Sequence, residues 1–386
     1  MIIDFIKKGE RFMSSNNLPS ITVETFTKIV EMQFKEQNFR PIFGLGKGGI
    51  GKTESIMDLA KNKLHIGYVD IRLLLYSETD LKGIPYPSED HTRTIWLQND
   101  ILPTVKKDGP VGILVFDEIT SCARSVRTAA YQLLNERRLG EYVLPEGWMV
   151  VCLGNGEEDG GDYQGMEGNF ANRCSVFNVV PDVEAWKLWA HSHNVNPLVT
   201  GYVSWKPADL HSYDPENETE LLFASPRSWT AVSNIINVNG FNADDDVICS
   251  RIESNLGLRV GQQFIAFCRF KDKTVDPNRI VYNGEKPVIQ EQEVLYITIS
   301  SVIKIVGDKA ISELQTQNGV THDTILMMAN ALNWILSLNK EYAVMGFKDL
   351  ISYNKTSIRG IIMTPEFLKA CPALPQFANQ NKEIFR

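Results

Sequence analysis

The sequence predicts an α/β fold, a parallel sheet with helices on both faces, followed by a mostly helical C-terminal part. Three observations carry that expectation. Apolar runs of strand length alternate with helical patterns from Ile42 to Val180; a glycine-rich stretch, Gly46-Lys47-Gly48-Gly49-Ile50-Gly51-Lys52-Thr53, follows the first run and opens a helix; and the uninterrupted run Ile113 to Phe116 ends in Asp117-Glu118. A strand buried on both faces reads as a continuous apolar run, and open α/β sheets place ligands beyond the carboxyl ends of their strands.

In "TVETFTKIVEMQF" (Thr22 to Phe34) the residues Phe26, Ile29, Val30 and Phe34 recur at helical spacing, and Arg40-Pro41 breaks the pattern ahead of the short strand Ile42-Phe43. After Thr53, "ESIMDLAKNKL" puts Ile56, Leu59, Ala60 and Leu64 on one helix face whose N-terminal end points at the loop. "HIGYVDIRLLLY" and "VGILVFDE" read as strands. "RSVRTAAYQLLNERRL" (Arg124 to Leu139) reads as a helix with Ala130, Leu133, Leu134 and Leu139 inward, and Gly140 with Pro145-Glu146-Gly147 signals a hairpin in "GEYVLPEGW". "WMVVCLGN" and "CSVFNVV" supply two more buried strands. Beyond Pro181, "VEAWKLWAHSH", "PRSWTAVSNIINV", "DDVICSRIESNL", "GQQFIAFCRF", "EVLYITISSVIKIV" and "DTILMMANALNWILSLN" read as helices, with a loop excursion from Phe270 to Gln292 that carries Pro277, Gly284 and Pro287.

Bulk properties exclude several classes. Hydrophobic residues at 43% and charged residues at 22% describe an ordinary globular chain, and 386 residues suffice for two or more domains. A net charge of -8 speaks against coating nucleic acid or an anionic membrane with the whole surface, although a local basic channel would not show in a total. The cysteines Cys122, Cys152, Cys174, Cys249, Cys268 and Cys371 include no C-x-x-C pair, so neither a zinc site nor a disulfide framework is indicated and a reduced chain is expected. "MIIDFIKKGERF" is broken by Asp4 and the Lys7/Lys8 pair and is too short and charged for a secretory or membrane-spanning segment, so a cytoplasmic placement is expected. His191 and His193 lack a third ligand at a recognisable spacing and read as a helix-end surface pair.

The glycine-rich stretch fits G-x-x-x-x-G-K-[ST], a phosphate-binding loop whose backbone N–H groups cradle phosphates, with Lys52 for the β- and γ-phosphates and the Thr53 hydroxyl for Mg²⁺; Glu54 follows directly. The same residues, read as K-G-G-x-G-K-T, resemble the deviant loop of partition-type ATPases, in which the counterpart of Lys47 would reach across a dimer interface. The loop alone fits both. Asp117 has the role of a Walker B acid binding Mg²⁺, and Glu118 is placed to polarise an attacking water; partition-type ATPases lack that second acid. Asn155 in "CLGNG" ends the next strand with a polar tip able to hold the water. Arg173 in "NRCSVF" precedes another strand, and "SPRSW" places Arg227 at a helix start with Pro226 in the first turn.

In this combination, from about Arg40 to Phe270, the chain resembles the MoxR-like AAA+ ATPases. The likeness includes "VDIRLLLYSETDLKGIPYP", "AAYQLLNERRLGEYVLPEGW", "NFANRCSVFNVVPDVEAWKLWA" and "SPRSWTAVSNII". It implies a P-loop core with a five-stranded parallel sheet in the order 5-1-4-3-2 and an α-helical lid, divided as an N-terminal helical segment (1–39), the nucleotide-binding core (40–222) and the lid with a C-terminal extension (223–386). It also implies ATP and Mg²⁺ as cofactors, Asn155 as sensor 1, Arg173 as an arginine finger aimed at a neighbouring subunit's ATP, Arg227 reaching the γ-phosphate from the lid, a hexameric ring, and chaperone-like remodelling of a protein client, often with a von Willebrand factor A domain partner. Lys47-Gly48-Gly49 stands where the family has Pro-Pro or similar small residues, so Lys47 either adds charge near the γ-phosphate or is solvated. Two other outcomes keep the same nucleotide chemistry. One is a nucleic-acid motor with Arg137, Arg138 and Gly140 at a pore; the other is a slow nucleotide-gated switch. Lys52→Ala is expected to abolish nucleotide binding, measured by titration with a fluorescent ATP analogue; unchanged affinity would remove the loop assignment.

Overall fold

The computed structural model describes residues 18–156, 172–214, 221–316 and 319–382, the side chains of residues 355 and 356 excepted. It divides into two compact units, Met1–Asp182 and Val183–Arg386. In the first, β1 (Ser20–Thr22) leads into α1 (Val23–Lys35), whose N-cap Thr22 accepts a hydrogen bond from the Thr25 N–H. β2 (Ile42–Leu45), α2 (Lys52–Asp58), β3 (Gly67–Arg72), α3 (Glu78–Lys82) and the exposed hairpin β4 (Ile84–Pro87) and β5 (Thr94–Leu97) follow. Next come α4 (Val105–Asp108), β6 (Val111–Asp117), α5 (Arg124–Glu136), the short hairpin β7 (Arg138–Leu139) and β8 (Tyr142–Val143), β9 (Gly147–Gly154) and β10 (Ser175–Val180).

The six strands β1-β10-β2-β9-β6-β3 form one parallel sheet in that order. Counting the five strands other than β1 by chain position gives the expected 5-1-4-3-2; the sixth, β1, is an addition at the edge next to β10, three residues pairing with Asn178 to Val180. Side chains alternate across a strand, and here they fill two cores. Ile42, Ile113, Val115, Met149, Val151 and Leu153 pack with Phe26 and Val30 of α1 and Ile56 of α2. Phe43, Leu45, Leu114, Phe116, Val150 and Cys152 pack on the other face with Val126, Ala130 and Leu133 of α5. Burial on both faces is why these strands read as unbroken apolar runs.

Several local expectations are corrected. The helix opened by the loop continues past Asp58 as a π-helical segment, Leu59–Leu64. The apolar run after β3 turns into a 3₁₀ segment, Leu73–Leu75, with only Leu73 buried. The helix expected to reach Leu139 stops at Glu136, because Arg137 adopts φ +54° and its guanidinium donates to the carbonyls of Pro145, Glu146 and Trp148. Those tertiary bonds outbid helix propensity.

The second unit is helical among its described residues. Trp229, Tyr202 and Phe264 centre one core, formed by helices 183–192, 197–205, 226–239, 246–256 and 258–268. The 25-residue helix Gln292–Thr316 contributes Ile297 to that core and Ile299, Val302 and Ile303 to a second, with Trp334 and Phe347. The expected loop excursion contains a 3₁₀ turn and the helix Pro277–Asn283, which buries Ile280 and Val281. A buried ion pair, Lys187 Nζ to Asp349 Oδ1 at 2.6 Å, ties helix 183–192 to helix 340–352.

The histidine pair is also corrected. His193 is exposed and stacks on Trp189, but His191 is only 8% exposed and stacks on Tyr353 with ring centroids 4.6 Å apart. Burial, joined by the cations of Lys187 and Lys304 against the weaker pull of Asp308, brings its imidazole down to about 3. The unfolded chain therefore takes up a proton near pH 6.5 that the folded chain refuses, so stability falls as pH drops below about 6.5, by up to about 1.4 kcal/mol per unit. Between pH 7.5 and 5, urea unfolding of the native chain is expected to lose about 2 kcal/mol more than that of His191→Phe; parallel losses would show that His191 is not held neutral.

Candidate nucleotide site

The parallel register sets the site. Leu45 of β2 lies beside Gly154 of β9, and Phe116 of β6 beside Cys152, so three neighbouring strands end almost level. From these ends leave the glycine-rich loop, Asn155, and Asp117-Glu118. Gly46 turns off β2 so closely that a Cβ there would come 2.0 Å from the Val179 carbonyl oxygen, which excludes any side chain. Gly51 caps α2 at φ +91°, a conformation glycine adopts without strain.

Lys52, 7% exposed, points back into the loop, its Nζ donating to the carbonyls of Gly46 (2.6 Å) and Lys47 (2.8 Å). Gly48, Gly49 and Ile50 complete the loop, with Lys47 half-buried and Glu54 exposed on the first turn of α2. The Thr53 hydroxyl donates to Asp117 Oδ2 at 2.7 Å across 64 residues of chain. The other oxygen, Oδ1, accepts the Glu118 N–H at 2.9 Å. Glu118 itself sits at φ +55°, a left-handed conformation uncommon outside glycine. Asn155 directs Oδ1 toward the loop, 4.0 Å from where a Cβ of Gly48 would stand.

Loop, Thr53, Asp117, Glu118 and Asn155 are thus brought together. Arg173 is exposed in the turn just before β10. Arg227 belongs to the second unit, exposed on the first turn of a helix begun as expected: Ser225 and Ser228 form a capping box around Pro226. Residues 1–17 of the expected N-terminal helical segment (1–39) and the run from Glu157 to Ala171 lie outside the described residues.

The donor set fits a phosphate chain with Mg²⁺. The loop between Gly46 and Gly51 leaves open space at Gly51, a buried ammonium lies inside it, and one hydroxyl and one carboxylate already share a hydrogen bond where a hard cation would take both oxygens. No group of three or more His, Cys, Asp or Glu that could hold a metal ion occurs among the described residues.

No protein-family model matches the chain. Among solved structures it is similar to Hsp104 in a closed state with ATPγS and FITC-casein, at 14% identity over 63% of this chain and 45% of that one, TM-score 0.34. It is similar to a candidate ATPase from Cytophaga hutchinsonii at 12% identity over 89% and 90% of the two chains, TM-score 0.31, and to NtrX from Brucella abortus at 10% over 92% and 67%, TM-score 0.29. The chain spans less than half the length of the Hsp104 chain. With TM-scores below 0.5 these likenesses carry no weight for function, and the α/β fold stands on its own sheet topology.

Two neighbours of the site, and a third residue at the opposite end of β2, escaped the sequence. Asp70 and Arg72 of β3 pair with Val115 and Asp117 of β6 and so share the face that Asp117 presents to α2. Partial burial, then Asp117, Glu54 and Glu118, push the Asp70 carboxyl up to about 6, with Arg72 opposing. Two charges spaced i, i+2 within "YVDIRLLL" were the available signal. Arg40, the third, donates from one guanidinium nitrogen to the carbonyls of Asn172 (2.8 Å) and Cys174 (3.1 Å), clamping the turn on both sides of Arg173. Gly46→Ala is expected to cost about 1–3 kcal/mol in urea unfolding because backbone must move, whereas Gly48→Ala, with nothing nearer than 4.0 Å, should leave stability close to that of the parent. Equal stabilities for the two would contradict the tight turn at Gly46.

Proposed function

We propose that the chain is a Mg²⁺-dependent ATPase of the AAA+ type, close to the MoxR-like kind, that assembles as a hexameric ring and uses hydrolysis to remodel or activate a protein client, with a von Willebrand factor A domain protein as a candidate partner. The single observation that carries it is the Thr53 to Asp117 hydrogen bond, which joins a phosphate-loop helix to an acidic strand end 64 residues away.

In this reading the amides between Gly46 and Gly51 cradle phosphate oxygens, and Lys52 exchanges the carbonyls of Gly46 and Lys47 for phosphate. Thr53 and Asp117 hold Mg²⁺, which when bound neutralises charge on the transferred phosphoryl group. Glu118 draws the proton from an attacking water that Asn155 orients. Arg173 serves the neighbouring subunit's nucleotide, where a finger of this kind is worth about 10³ to 10⁵ in rate, and Arg227 contacts the γ-phosphate from the lid. The domain division at 40 and 223 and a cytoplasmic location belong to the same proposal. No described helix is long and apolar enough to cross a membrane.

The nucleic-acid motor is less well supported. Arg137, one of the two arginines it would place at a pore, is half-buried and bonded to three carbonyls.

Glu118→Gln should keep ATP bound, stop turnover, and reach six subunits by native mass measurement when ATP and Mg²⁺ are added. Normal turnover would assign the water to another residue, and an ATP-dependent dimer would replace the ring with a partition-type assembly centred on Lys47.

A further inference from the structure

Thr120 lies two residues beyond Glu118 and is 2% exposed. Its hydroxyl meets both backbone polar groups of Asn155: the Asn155 N–H donates to Thr120 Oγ1 at 3.1 Å, and Oγ1 donates to the Asn155 carbonyl oxygen at 3.1 Å. A hydroxyl donates once and accepts at the same time, so one side chain pins the peptide groups on either side of Asn155. The methyl is fitted just as closely. A Cβ on Gly154 would come 2.7 Å from Thr120 Cγ2, so the end of β9 packs directly on this side chain.

Thr120 is itself well anchored. The Ile119 N–H donates to the Leu153 carbonyl at 3.1 Å and the Ser121 N–H to the Glu118 carbonyl at 3.0 Å. Past the paired residues Phe116 and Cys152 the ladder between β6 and β9 gives way to loop, and the bonds of Ile119 and Thr120 continue the connection. Glu118 and Asn155 leave different strands, yet the proposed chemistry needs both on one water, within a fraction of an ångström. Thr120 is the side chain that links the backbone carrying one to the backbone carrying the other.

We propose that Thr120 is a positioning residue for hydrolysis: its hydroxyl fixes the Asn155 backbone so that the Asn155 amide and the Glu118 carboxylate address the same water. This rests on the proposed ATPase function. Thr120 acts only through Asn155, which gives the test its form.

Single-turnover hydrolysis of ATP with Mg²⁺ and equilibrium binding of ATP are measured on the full chain for the parent, Thr120→Val, Thr120→Ser, Asn155→Ala and the double variant Thr120→Val/Asn155→Ala. Thr120→Val, of equal shape without the hydroxyl, is expected to lower the hydrolysis rate about tenfold while leaving ATP affinity within about twofold. Thr120→Ser should recover most of that rate. In the Asn155→Ala background Thr120→Val should cost nothing further, since what it positions is gone. A Thr120→Val rate equal to the parent's, or a tenfold loss that persists without the Asn155 side chain, overturns the proposal while leaving the ATPase standing. If Thr120→Val fails to bind ATP, the serine variant decides: a full loss there overturns the proposal too. A parent chain that binds but never hydrolyses ATP removes the proposed function, and this inference with it.

Discussion

Everything at the candidate site depends on parallel strands ending in register. β2, β9 and β6 are separated in the chain by a loop, helices and hairpins, yet they lie side by side with their last residues almost level. A glycine-rich loop, a polar tip and an acidic pair emerge on the same edge as a result. Strand alternation then chooses the face: with Ile113 and Val115 packed toward α1 and α2, Asp117 falls on that side and meets Thr53. A slip of one residue in the pairing of β6 would turn Asp117 toward α5 and Phe116 toward the loop, so the two cores that fix the register also fix the chemistry.

Where burial is complete the sequence spoke clearly. The central strands were legible because both of their faces are apolar, and the loop because glycine and lysine spacing is dictated by backbone approach. What stayed hidden depends on contacts far along the chain. β1 is three residues, Ser-Ile-Thr, too short for any period, and gains its identity only by pairing with β10. The early end of α5 needs carbonyls from Pro145 to Trp148 to engage Arg137. His191 looked like a surface residue until Tyr353 covered it. Thr120 is an ordinary residue in "FDEIT" whose meaning lies at Asn155, 35 positions on.

The site is acidic before any cation arrives. Glu54, Asp70, Asp117 and Glu118 gather on one edge, and the Asp70 carboxyl is raised first by desolvation and then by the charges of the other three. Arg72, level with Asp117 on the neighbouring strand, offsets part of it. The lysine inside the loop meanwhile is satisfied by two carbonyls, so the loop keeps its shape through its own polar groups.

One strand connects two charged features of this edge and its opposite. Arg40, two residues before β2, grips the turn that carries Arg173, while the far end of β2 turns at Gly46 into the glycine-rich loop. Between them lie Pro41 and the four residues of β2, the latter all buried and paired with a strand on each side, a span of about 13 Å at the usual strand rise. Such a segment has no joint at which to bend. It is a rigid spacer that holds the glycine turn and the arginine turn at a fixed separation on opposite edges of the sheet.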